Sequence, residues 1–219
     1  MKPKLDIDTL IKEAKTFCEA QSLASHSQLL GVTDGKAVGT YIQSKFQQYL
    51  SDKYEVSIGN SASGIDLPDT HINTDIKATS INQPQSSCPF KTARQKIYGL
   101  GYNLLIFVYE KIDSGDTCKL QFRYCTFVPN DKTADFTLTA QIIQALQNGA
   151  NKEDIIAILH DRNIPGDSIT YNNIADEILS SPPQQGYLTI SNALQWRLQY
   201  SRVISLQNAI GGIKNYEWQ

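Results

Sequence analysis

Apolar residues near the start of the chain, Leu5, Leu10, Ile11, Ala14 and Phe17, recur largely at three- and four-residue steps and predict an amphipathic helix. After the polar loop SHSQLLGVTDGK, a second stripe of Val38, Tyr41, Ile42, Phe46, Tyr49 and Leu50 predicts another. YEVSIGN then alternates like a strand, and Gly64 to Ser80 reads as a strand pair. Phe90 to Leu100 has the period of a helix with a basic face, broken near Gly99 and Gly101. NLLIFVYEK is a nearly continuous apolar run, the pattern of a strand covered on both faces. KLQFRYCTFV alternates and follows it as the next strand.

Beyond Pro129 the pattern turns helical. TLTAQIIQALQNGA predicts a short helix ending at Gly149, and NKEDIIAILHD a second with acidic residues in its first turn. This pair over residues 139–161 suits either a helix-turn-helix DNA reader or a helical hairpin packed on a core. TISNALQWRLQYSRVISLQNAI reads as a long helix carrying Trp196, Arg197 and Arg202. Strands and helices are mixed in the first part and helices dominate the second. The expectation is an α/β domain over 1–135 and a mainly helical region over 136–219.

Composition narrows the classes. Hydrophobic residues make up 41% and charged ones 19%, enough to bury a core. A net charge of -2 argues against coating nucleic acid by bulk attraction, while leaving room for a local basic face. No apolar run approaches the roughly 20 residues that span a bilayer. The charged opening MKPKLDIDTLIKEAK lacks a signal-peptide core, so a cytoplasmic protein without a membrane segment is expected. Cys18, Cys88, Cys118 and Cys125 have no zinc-type spacing and read as reduced, structural thiols.

The strand pair GIDLPDTHINTDIKATS carries the chemistry. Folded about a turn near Asp69 to Ile72, it sets Asp66 opposite Asp75 and Leu67 opposite Thr74. Side-chain alternation puts Ile65, Leu67 and Ile76 on one face and Asp66, Asp75 and Lys77 on the other. Two facing carboxylates repel unless a cation lies between them, and a hard divalent ion such as magnesium suits such oxygen ligands. The Ile76 carbonyl is placed to complete the coordination, and Lys77 to polarise water or steady charge on a phosphate. The bland alternative is a solvated sheet face on which Lys77 pairs with a neighbouring aspartate.

Together with its setting, an acidic residue, a short gap and D-x-K on adjacent strands resembles the PD-(D/E)xK nuclease superfamily. The phrase QPQSSCPFKTARQKIYGLGYNLLIFVYEK most resembles a Type II-like restriction endonuclease. The resemblance spans about Gly35 to Val128. It implies a restriction-endonuclease-like mixed sheet flanked by helices. It further implies magnesium-dependent, sequence-specific cleavage of double-stranded DNA to 5′-phosphate and 3′-hydroxyl ends. A homodimer and a cognate methyltransferase protecting host DNA would accompany such an enzyme. Ile65 stands where the family name has proline. The literal Pro68-Asp69 has the wrong parity, so Asp66 is the expected ligand. The helical G-x-x-x-E of many members reads here Gly39 to Gln43, making Gln43 a neutral counterpart of that glutamate. Lys91, Arg94, Gln95 and Lys96 are candidate DNA contacts, or else an ordinary solvated helix face. Other readings are a repair, recombination or junction-resolving nuclease of the same fold, and a non-catalytic helix-turn-helix DNA-binding protein.

Overall fold

The computed structural model describes residues 2–59, 64–88, 92–191, 197–207 and 210–218. In chain order its main elements are α1 (Ile7–Leu23), α2 (Gly35–Lys53), β1 (Thr74–Ser80), β2 (Gln85–Ser87), α3 (Gln95–Tyr98), β3 (Asn103–Ser114) and β4 (Thr117–Val128). These are followed by α4 (Phe136–Gln147), α5 (Lys152–Asp161), α6 (Ser168–Ser180), β5 (Thr189–Ile190), β6 (Arg197–Gln199), α7 (Ser201–Ile204) and β7 (Lys214–Glu217). Among the described residues no helix is long and apolar enough to cross a membrane.

The chain divides into two compact units, and the division is discontinuous rather than a single cut near 135. The first comprises residues 1–85, 102–128 and 204–219; the second comprises 86–101 and 129–203.

In the first unit a mixed sheet runs in the order β1-β3-β4-β7. β1 is parallel to β3, with Asp75 beside Leu104 and Lys77 beside Ile106. β3 and β4 form a long antiparallel hairpin with a bulge at Val108/Tyr109. Helices α1 and α2 begin where Asp6 and Asp34 accept main-chain N–H groups of Thr9 and Lys36. Their apolar stripes meet the sheet around Phe17, Phe46 and Phe107, whose ring centroids lie 5.0 to 5.8 Å apart. The second unit packs α4, α5 and α6 around Ile142, Ile155, Leu159, Ile174 and Ile178, and holds a small sheet ordered β2-β6-β5.

Several expected elements take other forms. Of YEVSIGN, the described residues 54–59 form an isolated bridge between Lys4 and Glu55 rather than a strand. The Ser57 N–H goes to the Asp69 carboxylate and the Gly59 N–H to the Asp66 carbonyl, so no ladder forms. Its apolar alternation is used by Tyr54 and Val56 packing against the core. The helix expected over Phe90 to Leu100 is one turn, Gln95–Tyr98, ended at Gly99 with φ +93°. A side chain at Gly99 would meet the Asn130 carbonyl at 2.6 Å. The long helix expected from Thr189 is instead β5, β6 and the single turn α7; Trp196 lies outside the described residues. Leu198 and Tyr200, both fully buried, have the two-residue period of a strand. β7, not expected at all, pairs with β4 and turns Tyr216 and Trp218 toward the core.

Candidate active site

Among the described residues β1 is an edge strand, with β3 beside it. Edge strands present unpaired main-chain groups, and here these meet particular partners. Thr74 exchanges both main-chain hydrogen bonds with Leu67, at 2.9 and 3.0 Å. That is the register expected from parity, although Gly64 to Leu67 forms one bridge rather than a strand. Two residues on, the Ile76 N–H donates to Asp66 Oδ2 at 2.8 Å. The Ile76 carbonyl accepts a hydrogen bond from Gln43 Nε2. Further along, the Ala78 carbonyl faces Gly39, where a Cβ would lie 3.2 Å away.

Gly39, Gln43 and Gln47 are spaced by four and share one face of α2. Glycine lets the helix axis approach β1 closely enough for the two amides to reach their partners. Gln43 takes the Ile76 carbonyl, and Gln47 Nε2 donates to Asp66 Oδ1 at 3.0 Å. The sequence does not single out Gln47; its place on the Gly39 and Gln43 face of α2 follows from the four-residue spacing, but its contact with Asp66 does not.

Asp66 and Asp75 lie next to each other. Asp75 is 4% exposed, and Lys77 Nζ lies 2.7 Å from its Oδ2. Burial raises the Asp75 pKa, Lys77 pulls it back, and Asp66, within hydrogen-bonding reach, pushes it up again, to about 6. The Asp75 carboxylate thus carries its charge in a buried position beside a second carboxylate, where a positive partner is favoured. Asp69 lies in the turn, where its backbone carbonyl accepts from Ile72 and Asn73 and its carboxylate from Ser57.

Magnesium is usually held by one or two carboxylates, with water and substrate phosphate completing its shell. Asp66 and Asp75 fit that donor set. Among the described residues no group of three or more His, Cys, Asp or Glu side chains could hold a metal, so a further ligand from such side chains is not at hand. The Ile76 carbonyl has one lone pair engaged by Gln43 and a second available.

The remaining candidates belong to the second unit. Arg94 is clamped on Glu177 through Nε and Nη2 and stacks 4.4 Å from the Tyr98 ring centre. Gln95 donates from its amide to the Leu100 carbonyl. A solvent-facing basic surface does not describe Lys96, which is 3% exposed. Burial lowers its pKa while Asp135 raises it. The helix is reduced to one turn, and of residues 94–96 Lys96 is buried while Arg94 keeps an exposed side chain. Lys91 lies outside the described residues.

The family described as Type II restriction enzyme NspV matches the chain over residues 4–215. The Type II restriction enzyme NspV of Nostoc sp. (strain ATCC 29411 / PCC 7524) is 56% identical over 211 residues, covering 95% of each chain. No solved structure matches.

Proposed function

The chain belongs to the NspV family of type II restriction enzymes, and we propose on that premise that it hydrolyses double-stranded DNA site-specifically at Asp66, Asp75 and Lys77. The observation that carries the assignment is the convergence of two carboxylates and a lysine on the covered edge of β1. Enzymes of this class generally use a divalent cation, and magnesium is the one this oxygen donor set suits. Bound there, it would neutralise the scissile phosphate and lower the pKa of a water.

The chain's own groups do the rest. Asp66 and Asp75 would hold the cation, with the Ile76 carbonyl beside them. Lys77 orients the attacking water and steadies charge developing on the phosphate. Gln43 fixes the Ile76 peptide, a task that needs a donor rather than a third negative charge. In-line attack by water leaves a 5′-phosphate and a 3′-hydroxyl. A homodimer would place two such sites across a palindromic sequence, and a cognate methyltransferase would protect host DNA. Arg94, clamped on Glu177 through Nε and Nη2 with its side chain still half exposed, is a further candidate for phosphate contact.

The test is incubation of the purified protein with a panel of plasmid and phage DNAs, in magnesium and in chelator. Discrete fragments in magnesium alone are expected. Smearing would mean a nuclease without site preference, and intact DNA would overturn the reading.

A further inference from the structure

Asp66 stands on an irregular segment joined to β1 by a single bridge, so its backbone alone holds the carboxylate weakly. Two donors hold it instead. The Ile76 N–H engages Oδ2 at 2.8 Å and the Gln47 amide engages Oδ1 at 3.0 Å. One donor on each oxygen fixes the carboxylate plane and leaves a lone-pair direction on each for another partner.

We propose that Gln47 is a positioning residue that aims the Asp66 carboxylate at a cation shared with Asp75. The proposal rests on the nuclease reading of this pair. A neutral amide suits the task better than lysine or arginine, because it orients the carboxylate without supplying a competing positive charge. Asp75 has the opposite arrangement, with its Oδ2 against the Lys77 ammonium. The pair is thus oriented from two sides, by a neutral donor on α2 and a charged one on β1. Gln47 reaches Asp66 because Gly39, two turns earlier on the same face, lets α2 approach β1.

Calorimetric titration of magnesium into the full chain reads this role without turnover. Gln47→Ala and Gln47→Met should each weaken magnesium binding by about 10- to 100-fold, the usual loss for a group that orients a metal ligand. Met keeps the volume and drops the donor, so a packing role would leave its affinity at the wild-type value. In cleavage assays the same variants should need correspondingly more magnesium for half-maximal rate, with most of kcat recovered at saturation. In an Asp66→Asn background, Gln47→Ala should add no further loss. Wild-type magnesium affinity in both Gln47 variants, with Asp66→Asn abolishing binding, would overturn this role and leave the nuclease site standing. Wild-type affinity in Asp66→Asn itself would overturn both.

Discussion

Asp75 is held where its charge is unwelcome until a cation arrives. Its pKa of about 6 in the fold, against an ordinary 3.8, means the folded state binds the proton more tightly than the unfolded one. Its contribution to stability is therefore complete below pH 4 and lost as pH rises through about 6. Above that, the ionised group costs at most about 3 kcal/mol. Asp75→Asn should abolish cleavage and yet melt several degrees above the wild type at pH 8 in chelator, with the gap closing toward pH 5. Thermal melts at the two pH values check this, and a lower melting point at pH 8 would contradict it. The neighbouring Pro68-Asp69 gives a second contrast. Ser57 holds the Asp69 carboxyl below its usual range in the turn, so Asp69→Asn should retain most cleavage while Asp66→Asn loses it. Loss in both, compared in single-turnover assays, would return Asp69 to the site. At this scale the sequence was legible where parity decides, since alternation separates Asp66, Asp75 and Lys77 from Ile76. It was illegible where a long-range contact decides: nothing local marks Gln47 as a partner of Asp66, or Lys96 as buried.

Elements were legible in proportion to their length and the purity of their period. The helices α1 and α2 and the strands β3 and β4 stand where their patterns predict. Phe90 to Leu100 and the stretch after Thr189 carry apolar residues at helical spacings, but tertiary contacts around Gly99, Leu198 and Tyr200 outweigh that signal. The pairing of α2 with β1 yields a test at this scale. Gly39→Ala gains up to about 1 kcal/mol of helix propensity. Its Cβ meets the Ala78 carbonyl at 3.2 Å and presses the helix outward by a few tenths of an ångström. The two effects oppose in stability and not in geometry. The variant should melt within a few degrees of the wild type and cleave about 10-fold more slowly, because reacting groups tolerate little displacement. Unchanged kcat would show that the close approach of α2 is immaterial to the chemistry.

Across the whole molecule the chain crosses between its two units, so that residues 204–219 return to complete the sheet begun by β1. That sheet has two outer strands, and they are finished differently. β7 carries exposed Lys214 and Glu217, charges of the kind that deter a foreign strand. In β1 the outward main-chain groups of Thr74 and Ile76 are taken by Leu67, Asp66 and Gln43, two of which belong to the site. The side chains proposed to serve hydrolysis are therefore also what keeps this edge from recruiting another chain. A combined Gln43→Ala and Asp66→Ala protein, the sort of inactive variant made to trap a DNA complex, should form sheet-rich aggregates at concentrations where Asp75→Asn stays clear. Light scattering and dye-binding time courses at matched concentration would show it, and equal clarity of the two would refute it. In this protein, the residue chosen to disarm the enzyme decides whether the edge of the sheet stays covered.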